Sequence, residues 1–341
     1  MKRACGLLIA TMTACGTDGA GADRPGSDGG AVADGGGSGA DAATAACRQG
    51  DPFDPAALEA DVRFLASDEM RGRAPDTPED VAARAFVAER FACLGLAPGM
   101  GQSFQQPFTA PDDLATANVV GVLRGGDPAL AGEIIVVGAH HDHLGEKGGK
   151  IYNGANDNAS GVAVLLAMAK AMVTRSSPPR RTIVFATFGY EENDGNCLGS
   201  EHYAAHPPDG LPVEDVVYMV NADMLGTYPS EGQVVAYGSL PDTPARLLLD
   251  DLAPASDLDV RLGNRADNDS SDFQAFCDLG VPYIYFETWD RECYHRPCDD
   301  ADRLDYPHMS AIGALLSEVL VGLADGDGDL AAARGAAPCP L

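Results

Sequence analysis

Basic residues are scarce in this chain: 23 lysines and arginines stand against 51 aspartates and glutamates, for a net charge of -28 at neutral pH. Phosphate backbones and anionic lipid repel so acidic a protein, which excludes nucleic acid and a bare anionic membrane surface as partners and favours solubility. No two cysteines have CxxC spacing, and the positions of the nine cysteines suit no thiolate zinc site. The apolar stretch Ala4 to Ala14 is too short to span a membrane; behind Met1-Lys-Arg it has the charged and hydrophobic parts of a secretory signal, expected over 1–14. Large apolar side chains are nearly missing from the Gly, Ala, Asp and Ser run that follows, so 15–46 is expected to be a flexible tether. Asp325-Gly-Asp-Gly-Asp329 starts like a calcium loop but lacks the closing glutamate, because Ala336 stands there. A solvated tail is therefore expected over 326–341.

Between tether and tail, apolar patterning alternates between helical and strand periods. Asp54 and Pro55 open a helix with Leu58, Val62 and Leu65 on one face, and Thr77-Pro-Glu-Asp80 caps a second that stops before Gly95. Strands are expected over 119–123, 134–137, 183–188, 216–220, 234–237 and 283–286, with helices over 159–172, 243–253, 271–279 and 308–323. This alternation predicts an α/β fold: a single three-layer domain over 47–325, its mixed, mostly parallel central sheet covered by helices on both faces.

Five potential metal ligands follow in order, each in a short distinctive context and most just past a strand-like run. His140 closes the run from Glu133 to Ala139 in Gly138-Ala-His-His-Asp-His-Leu-Gly145, and Asp157 sits in Gly154-Ala-Asn-Asp-Asn-Ala-Ser-Gly161. Glu191-Glu192 comes after Thr182-Ile-Val-Phe-Ala-Thr-Phe188, Asp223 lies in Val220-Asn-Ala-Asp-Met-Leu-Gly226, and His295 in Tyr294-His-Arg-Pro297. Imidazoles and carboxylates suit zinc-like divalent ions, and two neighbouring ions need a shared carboxylate. Open α/β sheets place their sites at the carboxyl ends of strands, where these residues fall. The pattern reads as a two-metal hydrolase.

These motifs, together with Leu65-Ala-Ser-Asp-Glu-Met-Arg-Gly-Arg73 upstream, resemble peptidase family M28, the zinc aminopeptidases, from about Asp54 to about Gly322. The resemblance implies that His140 and Asp223 bind one zinc, Glu192 and His295 the other, and that Asp157 bridges the two Zn2+ ions. It implies Glu191 as the general base, taking a proton from water between the metals and passing it to the leaving amine. Asp142 would be the carboxylate that orients the His140 imidazole. Substrates would be peptides with a free amino terminus.

His141 and His143 are expected to be loop or pocket groups, because five ligands already satisfy two zincs. Asp299, four residues after His295, is expected to be structural. Some family members hold the oxyanion with a tyrosine shortly before a Ser-Asp pair; here Ala266-Asp-Asn-Asp-Ser precedes Ser271-Asp272, which leaves Tyr294 as a possible substitute. Met12-Thr-Ala-Cys15 resembles a bacterial lipobox, implying an exported protein of the cell envelope held to the membrane only through a lipid on Cys15. Export favours disulfides. With Cys5 removed and Cys15 lipidated, seven cysteines leave at least one free thiol, and Cys293 and Cys298 are close enough to bridge across the His295 loop. Two alternatives stay open: a single-zinc glutaminyl cyclase, which would not need the full set with His140, and a non-catalytic peptide-binding relative, which would lack ligands or base.

Overall fold

Asp54 starts the first helix by accepting the Ala56 backbone N–H on its side chain, with proline at the first helical position; α1 runs Pro55–Leu65 and buries Leu58, Val62 and Leu65. Helix α2, Pro78–Leu94, is capped by the Thr77 hydroxyl on Asp80 N–H and stops at Gly95, whose φ of 77° suits a residue without a Cβ. The computed structural model describes residues 44–192, 197–228, 233–263 and 271–335, all within one compact unit, Ser38–Leu341. The signal, the lipobox cysteine and nearly all of the tether lie outside the described residues, as do 266–270 and Ala336.

The sheet has nine strands: β1 (Ala97–Pro98), β2 (Gln105–Thr109), β3 (Ala115–Leu123), β4 (Ile134–His140), β7 (Thr182–Phe188), β8 (Val216–Ala222), β9 (Val234–Tyr237), β10 (Val260–Gly263) and β11 (Tyr283–Glu287). Two further strands, β5 (Gly145–Lys147) and β6 (Lys150–Tyr152), form a separate hairpin. The order is β1-β3-β7-β4-β8-β11-β9-β10, with β2 also on β3. Its centre, β7-β4-β8-β11, is parallel. Antiparallel partners flank it, β3 beside β7 and β9 beside β11.

A parallel centre must be covered on both faces, which is why its strands read as continuous apolar runs. In β4 the side chains alternate between two cores: Ile135, Val137 and Ala139 face one, Ile134 and Val136 the other. The first core receives α1, α2, α3 (Gly161–Val173) and α7 (Tyr306–Asp325). The second receives α4 (Leu198–Ala205) and α6 (Phe273–Cys277), while α5 (Pro244–Leu252) packs against α7. The fold is the three-layer α/β domain that the pattern predicts.

The short strands β1, β2, β5, β6 and β10 and helix α4 escape the sequence pattern. They are brief, β2 carries Gln105, Gln106 and Pro107, and α4 begins with Leu-Gly-Ser. Gly199 is there because a Cβ would stand 2.3 Å from the Gly189 carbonyl, so only glycine lets α4 press against the turn beyond β7. The tail also differs from expectation over its described part. Arg181 donates to the carbonyls of Gly326 and Gly328, Leu330 is buried, and Arg334 donates to the carbonyls of Val213, Glu214 and Val216. Two arginines distant in sequence convert that segment from a solvated tail into a strap.

Candidate metal centre

All five expected ligands meet at the carboxyl ends of the parallel strands. His140 is the last residue of β4, and Asp223 follows the last residue of β8. Glu192 comes four residues beyond β7, and His295 eight beyond β11. Asp157 arrives from the turn before α3.

His140 Nε2 lies 3.2 Å from Asp157 Oδ1 and 3.3 Å from Asp223 Oδ1. On the other side, His295 Nε2 lies 3.3 Å from Asp157 Oδ2 and 2.8 Å from Glu192 Oε2. Atoms placed tetrahedrally at about 2.0–2.1 Å from one zinc stand roughly 3.3 Å from each other, so His140, Asp157 and Asp223 have ligand spacing, and each carboxylate beside His295 stands near that distance from its Nε2. Asp157 turns one oxygen to each set. Its Oδ2 is buried and no donor is aligned on it, which is the condition of a lone pair that a cation would fill.

The charges make the same demand. Burial alone would raise the Asp157 carboxyl, yet the imidazoles of His140 and His295 hold it well below the usual carboxylate range. Burial would lower His295, but its contacts with Asp157 and Glu192 lift it to about 10. Protons crowd onto the imidazoles because carboxylates outnumber cations, and divalent ions would meet that need with neutral ligands instead. The donor set fits zinc.

The surrounding hydrogen bonds explain why the motifs extend beyond the ligands. Asp299 accepts the backbone N–H groups of Asn156 at 2.8 Å and Asp157 at 3.0 Å, pinning the Asp157 turn from behind. The Asn158 side chain accepts from Gly161 and Met224 and donates to Ala222, while Asn156 accepts from Gly226 and Ser160 from Leu225. These bonds sew the Asp157 turn to the Asp223 turn. Ser271 donates to Asp223 Oδ2 at 2.8 Å, fixing its other oxygen toward His140.

Arg73 is fully buried, and among the described residues no carboxylate hydrogen-bonds it. It donates to the carbonyls of Leu65, His141, Asn153 and Gly154, tying the His140 loop to the Asp157 turn. The sequence presents Arg73 within a motif but offers no partner for it, because every acceptor is a backbone carbonyl.

Asp142 departs from the expected arrangement. Its carboxylate is 3.9 Å from His140 Nδ1, whereas its backbone carbonyl is 3.3 Å away. The carboxylate instead accepts from the N–H groups of Glu191 at 3.1 Å and Glu192 at 3.4 Å, which shapes the turn that carries both glutamates. His141 points away, with Nε2 3.4 Å from Asp80. His143 lies inside the cluster, its Nδ1 2.6 Å from Glu192 Oε1, and with Asp157 and Glu192 it forms a group that could itself hold a metal ion, a place the sequence pattern does not give it.

Glu191 is half-buried beside the expected ligands, and desolvation, helped by Glu192 and Asp223 and opposed by His140, pushes its carboxyl well above the usual range. It shares a small pocket with His140, Asp157, Asp223 and His295, walled by Met224, Tyr285, Glu287, Trp289 and Tyr294. Tyr294 stacks on His295 at 3.9 Å and meets Trp289 at 4.8 Å. A disulfide between Cys293 and Cys298 brackets His295, as expected.

Comparison with known proteins agrees with this construction. The family model described as peptidase family M28 matches residues 118–320. The chain belongs to peptidase family M28. Aminopeptidase YwaD of Bacillus subtilis (strain 168) is 28% identical over 192 residues, which are 54% of this chain and 40% of that relative's length. Among solved structures, the aminopeptidase from Aneurinibacillus sp. strain AM-1 superposes with a TM-score of 0.64 at 17% identity, covering 80% of this chain and 94% of that one. A zinc aminopeptidase from Bacillus subtilis gives 0.65 at 16% identity, over 83% and 98% of the two chains. The glutaminyl cyclase of Bacteroides thetaiotaomicron gives 0.62 at 20% identity, over 79% and 98%. This M28 member therefore has the zinc aminopeptidase fold, which a cyclase shares.

Proposed function

We propose that this M28 protein is a two-zinc aminopeptidase that removes amino-terminal residues from peptides. The observation that carries the reading is Asp157, whose two oxygens each face a separate imidazole–carboxylate pair. Two ions would each find an imidazole and two carboxylate oxygens there. His140 and Asp223 would hold one ion and Glu192 and His295 the other, with Asp157 between them. Two zinc ions bound there would polarise the scissile carbonyl and make water a stronger acid.

Glu191 supplies what proton transfer needs: a carboxylate at the pocket, next to a ligand but directed to a different task. It takes the proton from the attacking water and delivers it to the leaving amine, and its burial-raised proton affinity suits both halves of that cycle. Asp142 holds the Glu191–Glu192 backbone so that the base and the ligand diverge. Tyr294, stacked on His295 at the pocket wall, is the candidate donor to the developing oxyanion. The acidic pocket suits a free ammonium on the substrate. The Met1–Ala14 pattern and Cys15 support an exported, lipid-anchored enzyme, a point that the mass of the mature amino terminus tests.

The deciding experiment measures metal content together with hydrolysis of free-amine and amine-blocked leucyl anilides, with and without a chelator. Two zincs per chain and chelator-sensitive cleavage of the free-amine substrate alone support the aminopeptidase. One zinc with cyclisation of amino-terminal glutamine would make it a cyclase, and no metal a binding relative.

A further inference from the structure

Cys197 is the free cysteine among the described residues, and it is buried. It occupies the position just before α4, where its carbonyl accepts from Glu201 N–H at 3.0 Å and the Ser200 hydroxyl at 2.9 Å, so its backbone is fixed from two sides. Its Sγ lies 3.8 Å from Glu191 Oε1. Among the described residues this is the side-chain hydrogen bond that the Glu191 carboxylate receives. We propose that Cys197 is a positioning residue: its thiol donates to Glu191 Oε1 and selects the rotamer that keeps the base facing the metal pocket. The idea rests on the reading of Glu191 as base.

The need for such a contact follows from the surroundings. Glu191 and Glu192 are consecutive and half-buried, and two carboxylates so placed repel. Glu192 is held by His143 and His295. Among the described residues no imidazole or guanidinium hydrogen-bonds the Glu191 carboxylate, although His140 stands near it, so the thiol supplies the hydrogen bond that restrains it. Burial and the neighbouring carboxylates keep the Cys197 thiol protonated, the form that donates. Gly199 completes the device by letting α4 approach the Gly189 turn closely enough for the sulfur to reach. Sulfur donors are weak, so the contact orients the base without competing strongly for its charge.

The test uses the zinc-loaded full chain and the variants Cys197→Ala and Cys197→Ser. Loss of the donor in Cys197→Ala lowers kcat about tenfold, a part of what general-base catalysis contributes, with KM and zinc content unchanged. Cys197→Ser, which restores a donor, recovers most of that loss. An S–H stretching band identified by subtracting the Cys197→Ala infrared spectrum moves in Glu191→Gln, because the acceptor of the thiol has changed from a carboxyl to an amide. A purely structural cysteine gives the opposite ranking, with alanine tolerated better than serine, and a band that does not move; either result overturns the proposal. Wild-type kcat in Cys197→Ala overturns it too, while leaving the aminopeptidase reading intact. A wild-type chain that binds zinc but cleaves no peptide overturns both.

Discussion

The two halves of the candidate metal centre are built by different means. On one side, His140 and Asp223 stand at the ends of neighbouring parallel strands, and His140 is only 1% exposed. On the other, Glu192 and His295 ride on loops several residues past their strands, and the His295 side chain is 37% exposed. The first half is positioned by the sheet itself, whose register sets strand ends beside each other. The second has to be clamped by additions: the Cys293–Cys298 disulfide, the Asp290 carboxylate accepting from Glu292 and Cys293 N–H, and the imidazole of His143. Rigid strand ends provide one metal position almost for free, whereas loop ligands have to be held one by one.

Asp157 is the point where the halves depend on each other, so its loss has the largest effect. Asp157→Asn keeps the shape but removes the charge that two cations share, and zinc content should fall from about two ions per chain to about one or fewer, with turnover lost. Metal analysis after dialysis against a weak chelator checks it; two retained zincs would mean that Asp157 does not bridge. Glu191→Gln should lower kcat by about 10²–10⁴-fold while zinc stays near two per chain, measured by steady-state kinetics and metal analysis. Loss of zinc in that variant would exchange the roles of Glu191 and Glu192.

His140 and Asp223 were legible in the sequence because strand-end placement is a local property. An apolar run ending in His140, or in Asn221-Ala-Asp223, announces both the strand and the group it delivers. The central strands and long helices were legible for the same reason. What closes the site was not. Arg73 acts only through carbonyls of residues far away in the chain, His143 differs from the neighbouring His141 only in which way the loop turns it, and Asp142 works through two backbone amides rather than through the imidazole beside it. No spacing rule reports such long-range partners.

Asp299 sharpens the comparison, since it serves the shared carboxylate without touching either metal position. Asp299→Asn presents one amide oxygen where two backbone N–H groups now find two carboxylate oxygens, and the Asp157 turn loosens. Metal affinity should fall about 10–100-fold, the range for residues that support ligands, in competition titrations with a zinc chelator. Both ions should weaken together. If only one did, Asp157 would belong to that half alone.

The smallest effect on the site separates its two clamping scales. The Cys47–Cys93 bridge joins the segment before α1 to the end of α2, two positions 46 apart in sequence. Closing a loop of that length restricts the unfolded chain by about 4 kcal/mol in the chain-entropy account, and measured values run about 2–4 kcal/mol. Replacing both cysteines by alanine should therefore lower unfolding free energy by about 2–4 kcal/mol in a denaturant titration while leaving kcat unchanged. The Cys293–Cys298 bridge encloses only a few residues, so its entropic value for stability is smaller, yet it brackets His295. Cys293→Ser with Cys298→Ser should weaken one zinc and spare the ion at His140 and Asp223, the reverse of the first pair. If both disulfide variants lost stability alone, the exposed half would be held by its carboxylate and imidazole contacts rather than by the covalent bracket.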